Sequence, residues 1–481
     1  MFRPPNPIKG TILGIGLLLS KLGVITEARA RRTTELAWPR IVTGLARMSK
    51  NAVDVAMVGI AVGGAAIAGV GIAGPFWGLA FSLGAGIAAG TIALVSQRYG
   101  AGAYEELGRT VRASTCLTIV LTIPIAVVFF LIPERFISLI SSNPAVIEQG
   151  TIYLKYISFG IPFGALNLVG GRILIGANDA YTAMVLRAGG AVANILLNAV
   201  LIFGLGMGVM GAAIGTVLSN ALVTVGFAVG LTAGRAPIAG TFPVTVDPHG
   251  TYLDVDMMRD VIQIGVPVIG RSLAWTLAEL PMFGILDLFG QDILSAYVIA
   301  RRIWGLMNTP GWGFGLASSS LIGQELGVGA ETTAEAYGRE IMRFAVAVYL
   351  LVAVSVALVA EPIVLLFVDD PTDVAISVAV GLVYAACAAA VIRAVADVSA
   401  GALDGSGDTR WTFMAQMVGM FGGALPLVYL GATTSLGVWG LYLAFFAEAT
   451  IPAVLNYYRF NTGRWKEVAR AYRPEVPGVA D

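Results

Sequence analysis

Twelve long apolar stretches, separated by short polar breaks, constrain this chain more than any other feature of its sequence. They fall near residues 36–60, 66–98, 110–132, 147–172, 181–204 and 208–233. A hydrophilic stretch follows at 234–256, and six more lie near 257–289, 293–323, 336–360, 374–402, 410–431 and 436–458. Each is long enough to cross about 30 Å of hydrocarbon as an α-helix. A bilayer admits only helices or closed barrels, because every backbone polar group must be satisfied internally, and stretches of this length specify helices. Composition agrees: 57% of residues are hydrophobic and 12% charged, about half the charge of a soluble domain. The expected fold is an all-α polytopic membrane protein with twelve transmembrane helices.

The two halves repeat. Residues 67–79 read IAGVGIAGPFWGL and residues 294–306 read LSAYVIARRIWGL, an offset of 227, which also carries Gln97, Gly100 and Gly102 onto Gln324, Gly327 and Gly329. Gly176 and Asp179 lie 229 residues before Gly405 and Asp408, as Gly211 does before Gly440. An even number of spans separates the equivalents, so the repeats run parallel, as in one class of secondary transporters. The organisation expected is an N-terminal segment (1–35), a six-helix bundle (36–233), a linker (234–256), a second bundle (257–460) and a tail (461–481). Residues 12–25 are apolar but interrupted by Lys21, and read better as an interfacial helix than as a further span. Basic residues cluster in alternate loops: the N-terminus, Arg109 and Arg112, Arg187, Arg235 and Arg259, Arg339 and Arg343, Arg410 and the tail. By the positive-inside rule both termini are cytoplasmic in a multi-pass protein of the cell (inner or plasma) membrane.

Several chemistries find no support. Cys116 and Cys387 lie in apolar runs and the single His249 in a polar loop, so no disulfide, zinc or histidine-based catalytic framework is expected. GVGIAG at 69–74 satisfies a dinucleotide fingerprint but lacks its strand–helix context and reads as helix packing. Walker and G-x-S-x-G motifs are missing; the net charge of zero says nothing about acidic partners, and no nucleic-acid partner is expected. No cofactor and no enzymatic activity are expected.

One group stands out physically. Asp54 lies well inside the first span, where an ionised carboxylate must be paired, hydrated or protonated. Lys50, four residues earlier, is within reach of it. Two further acids, Glu279 and Asp397, lie in the seventh and tenth spans, as either a second cation site or the neutralising partners of Arg271 and Arg393.

ALVSQRYGAG (93–102), SLIGQELGVG (320–329), VDVAMVG (53–59), IGANDAYTAM (175–184), ALDGSGDTRWTF (402–413) and RFNTGRWKE (459–467) resemble, in order, motifs of the multidrug and toxic compound extrusion (MATE) family. The N-terminal half is most similar to proton-coupled archaeal, DinF-like members. The resemblance implies a V-shaped pair of six-helix bundles, alternating access, and a monomer in the bilayer that exports cationic or amphipathic small molecules against H⁺ or Na⁺. It implies a cavity formed by Asp54, Asn194, Asn198 and Thr216 with Lys50, with Asp54 as ligand where the coupling ion is Na⁺. Asn198 stands where relatives carry an acid. Pro39 matches a first-helix proline of the proton-coupled relatives, while Trp275 and Arg393 occupy positions that are acidic in sodium-coupled ones. The rival readings are a lipid-linked oligosaccharide flippase of the same superfamily and, from other classes, a channel or an intramembrane enzyme.

Overall fold

A computed structural model describes residues 6–367 and 374–474. Helix α1 (Pro7–Lys21) is capped by Asn6, whose side chain accepts from the Ile8 and Lys9 amides. At fifteen residues it reaches about 22 Å, less than the hydrocarbon thickness. The N-terminal half continues with α2 (Glu27–Val62), α3 (Gly64–Gly100), α4 (Tyr104–Leu131), α5 (Pro144–Gly176), α6 (Ala180–Gly204) and α7 (Gly208–Ala233). A two-residue hairpin, β1 (Arg235–Ala236) with β2 (Gly240–Thr241), lies in the linker. The C-terminal half holds α8 (Val255–Asp287), α9 (Gln291–Met307), α10 (Thr309–Gly327), α11 (Glu331–Leu358), α12 (Val374–Ser406), α13 (Thr409–Thr433) and α14 (Trp439–Asn461), followed by the short α15 (Arg464–Arg470).

Among the described residues, nine helices are long and apolar enough to cross a membrane: α3 to α8 and α11 to α13. Three further spans complete the twelve, and each departs for a visible reason. Helix α2 carries Arg40, Arg47, Lys50 and Asp54, and α14 carries Glu448. The span predicted at 293–323 is two helices, α9 and α10, broken at Asn308. Pro310 has no N–H to donate to the carbonyl four residues back, and the Thr309 hydroxyl bonds that Leu306 carbonyl instead at 2.8 Å. Its repeat counterpart α3 runs uninterrupted for 37 residues.

The chain divides into two compact units, one formed by residues 42–269 and the other by residues 1–41 with 270–473; the divisions fall inside α2 and α8. In the first, α3 packs on α4 and α5, and α6 packs on α7. Phe76, Phe129 and Phe136 interlock edge-to-face with centroids 5.0–5.9 Å apart. Asp179, the acid of the repeated Gly–Asp motif, caps α6 by accepting from the Thr182 amide at 2.9 Å. In the second unit α12 is central, packed by α9, α10, α11 and α14. There the repeated acid Asp408 pairs with Arg459 at 2.7 Å. The repeated glutamine Gln324 accepts from Arg32 at 2.9 Å, which fastens the start of α2 to this unit. Helix α1 lies against α11, where Gly16 approaches Phe344.

Candidate functional site

The site is a cavity of about 500 Å³ within the unit formed by residues 42–269. Helical periodicity selects its walls. Thr43, Arg47, Lys50 and Asp54 recur at three- and four-residue intervals along one stripe of α2 and all line the cavity, as residues spaced this way share a helix face. Helix α6 contributes Arg187, Gly190 and Asn194; α5 gives Tyr153 and Asn167; α7 gives Thr216, Ser219 and Asn220; α3 gives Trp77 and Phe81.

The Asp54 carboxylate is held from two sides. Lys50 Nζ lies 2.7 Å from Oδ2, with both side chains 18% exposed. Asn198 Nδ2 donates to Oδ1 at 2.8 Å. The Asn194 amide turns so that its NH₂ also donates to Oδ1 at 2.9 Å, while its carbonyl faces the Thr216 hydroxyl at 3.1 Å. Every contact to the carboxylate is thus a donor, and ionised hydrogen bonds of this kind are the stronger ones. Asn194 and Asn198 are almost fully buried.

Their approach to Asp54 depends on a missing side chain. A Cβ on Gly215 of α7 would sit 2.0 Å from Asn198 Oδ1, so only glycine lets α6 and α7 close here. Immediately after Asn198 the backbone widens into a π-helical turn, Val200–Gly204. Such turns recur at functional sites.

Asp54, Lys50, Asn194, Asn198 and Thr216 are therefore brought together. Pro39 lies inside α2, fifteen residues before Asp54, and does not line this cavity. Asp397 is paired in the other unit: it accepts from Arg393 Nε at 2.9 Å and from the Tyr349 hydroxyl at 3.2 Å. Glu279 is exposed and makes no hydrogen bond or ion pair with any described residue. Arg271, offered Glu279 or Asp397 as partner by the sequence, instead forms a two-pronged pair with Asp404 at 2.7 and 3.2 Å. Glu448 pairs with Arg301 at 3.0 Å. Among the described residues no cluster of three or more His, Cys, Asp or Glu is arranged to hold a metal.

Arg187, grouped above with the loop cations, sits instead two turns inside α6 as part of the cavity wall. The signal was present, since it lies seven residues before Asn194 on the same face. Tyr153, Asn167, Ser219 and Asn220 were also missed. They come from elements whose polar residues look isolated in the sequence, and only packing joins them: Asn167 Nδ2 donates to Asn220 Oδ1 at 3.1 Å.

The family model MatE matches residues 39–200 and 267–430, both halves of the chain. The chain belongs to the MatE family. Multidrug resistance protein PmpM of Pseudomonas aeruginosa is 27% identical over 424 residues, covering 85% of this chain and 86% of that protein. Multidrug resistance protein MdtK of Pectobacterium atrosepticum is 25% identical, covering 93% and 98%. A structure described as an outward-facing multidrug resistance MATE family transporter superposes with a TM-score of 0.83 at 20% identity, covering 92% of this chain and 96% of that one. MatE membership fixes the fold as two six-helix repeats and the protein as a multi-pass membrane transporter for small molecules, not an enzyme.

Proposed function

We propose that this protein is a secondary active antiporter that exports amphipathic or cationic small molecules by alternating access, in exchange for protons or sodium ions. Asp54 is the coupling group. The observation that carries this reading is a cavity-lining carboxylate whose oxygens are claimed by Lys50, Asn194 and Asn198. A cation arriving at Asp54 must displace these donors, so occupancy by the ion and the arrangement of α2, α6 and α7 are linked. A ligand shifts a conformational equilibrium only through such differential interactions.

A proton is the favoured ion. It needs only to detach one donor from the carboxylate, whereas Na⁺ requires Lys50 to leave and both amides to turn their oxygens inward. The protein works as a monomer in the cell membrane with both termini cytoplasmic, an orientation supported by the basic residues of alternate loops.

The test is efflux of a fluorescent substrate from proteoliposomes, with pH and sodium gradients imposed separately. Asp54→Asn keeps the shape and removes the charge; it should yield folded protein without gradient-driven exchange. Wild-type exchange by that variant would falsify the mechanism. A cysteine at position 245 should react only with reagents that reach the cytoplasmic side; labelling by an impermeant external reagent would reverse the orientation.

A further inference from the structure

The polar face of α6 is graded. Arg187, Gly190, Asn194 and Asn198 follow one another along it, and on α2 Arg47, Lys50 and Asp54 follow in the same order. Each helix thus carries cationic groups toward its N-terminal end and the Asp54 shell toward the other. Charge in the cavity is unbalanced: Arg47, Lys50 and Arg187 face Asp54 as the single carboxylate, and Asp54 is engaged by Lys50.

Arg187 makes no hydrogen bond or ion pair with any described residue, and its guanidinium lies beside Gly171 of α5. The charged groups acting on it, Arg172 and Arg47, are both cations. Arg187 is half-buried, and a guanidinium held at this depth in the spans without a counter-charge is costly to keep. Elsewhere in this protein the cost is avoided: Arg271, Arg301 and Arg393 each meet a carboxylate. The Asn167 and Asn220 amides and the Trp77 and Phe81 rings complete the cavity around it.

We propose that Arg187 anchors the anionic group of the transported molecule, so that among amphipathic substrates the cavity prefers acidic or zwitterionic ones, whose carboxylate, sulfonate or phosphate is gripped by its planar fork. The aromatic or apolar body lies on Trp77 and Phe81. Guanidinium suits this task because it meets such groups with two parallel hydrogen bonds. The inference rests on the transport reading for its biological meaning, but its test needs no gradient.

Full-length protein in phosphatidylcholine nanodiscs is titrated with carboxyfluorescein and with rhodamine 123, which share a xanthene frame and differ in charge. Wild-type protein should bind carboxyfluorescein more tightly. Arg187→Gln should weaken that binding about tenfold or more, as loss of a charge-assisted bidentate contact does, while leaving rhodamine 123 binding equal or tighter. Arg187→Lys, which keeps the charge without the fork, should fall between. Competition by added phosphatidylglycerol in wild type but not in Arg187→Gln would identify the anionic group as a lipid headgroup. Absence of competition would identify a soluble amphiphile, and both outcomes uphold the anion site. Equal carboxyfluorescein affinity in wild type and Arg187→Gln would overturn it. So would a wild-type preference for rhodamine 123, a result that needs no variant to fold. Failed antiport would appear only in gradient-driven exchange, and this equilibrium contrast would survive it.

Discussion

The two units use one repeated fold to opposite electrostatic ends. In residues 270–473 three partly or fully sequestered arginines of the spans each meet a carboxylate: Arg271 with Asp404, Arg301 with Glu448, Arg393 with Asp397. Aromatic rings add to this, since Trp275 lies 5.7 Å from the Arg301 guanidinium and 5.6 Å from that of Arg393. In residues 42–269 one carboxylate serves a cavity lined by three cations. Charges held in low dielectric either find internal partners or wait for external ones. The pairs of residues 270–473 serve structure, whereas the cavity of residues 42–269, with more cations than carboxylates on its wall, is suited to ligands.

The largest effect expected from breaking this contrast is on stability in the matched unit. Glu448 is 2% exposed, so Glu448→Ala strands Arg301 and should cost about 3–5 kcal/mol, read as a fall in unfolding midpoint of the purified protein. The double variant Arg301→Met, Glu448→Leu should recover most of that loss. If it does not, the pair does more than neutralise.

Next come two glycines that play the same part in different units. A Cβ on Gly311 would lie 2.0 Å from Asp397 Oδ2, just as one on Gly215 would lie 2.0 Å from Asn198 Oδ1. Either alanine substitution should destabilise by about 1–3 kcal/mol through overpacking. Only Gly215→Ala should also impair transport per folded molecule, and transport loss in Gly311→Ala would blur the division of labour. Asp54→Asn and Asp397→Asn sharpen the point. The first should remove exchange with little change in unfolding midpoint, and the second should lower the midpoint while sparing exchange per folded molecule.

The smallest effect lies at the head of α8, outside the spans. Burial pushes the Asp254 carboxyl up, but the Met257 amide and Arg109 outweigh it and hold it below the usual carboxylate range. Arg109 reaches it at 2.6 Å yet is 46% exposed, so the pair is partly screened. Asp254→Ala should cost about 1 kcal/mol, largely as a lost helix cap. A depressed carboxylate stabilises fully above its unfolded value of about 4 and loses that contribution as pH falls through the lower folded value. The gap in unfolding midpoint between wild type and Asp254→Ala should therefore be constant near neutrality and close below about pH 4.

The sequence made the spans and the repeat legible because hydrophobic runs and motif spacing are local or periodic. The heart of the site was legible for the same reason: Lys50 and Asp54, and Asn194 and Asn198, are neighbours one turn apart. Arg187 misled because a basic residue near the start of a span looks like a loop marker, although its spacing to Asn194 places it on the polar face. The partner of Arg271 was hidden because Asp404 lies 133 residues away, and nothing in local pattern distinguishes it from Glu279. The break at Asn308 was hidden because the apolar run continues through it.

The matched arginines have one more consequence. A charge moved across the membrane potential gains or loses about 2.3 kcal/mol per 100 mV, but an arginine travelling with its carboxylate carries no net charge and feels almost no force. Voltage can therefore do little work on residues 270–473 through these pairs. Residues 42–269 differ in this respect: Arg47, Lys50 and Arg187 outnumber Asp54 around the cavity, and there the arrival of an anion or a proton changes the charge that moves.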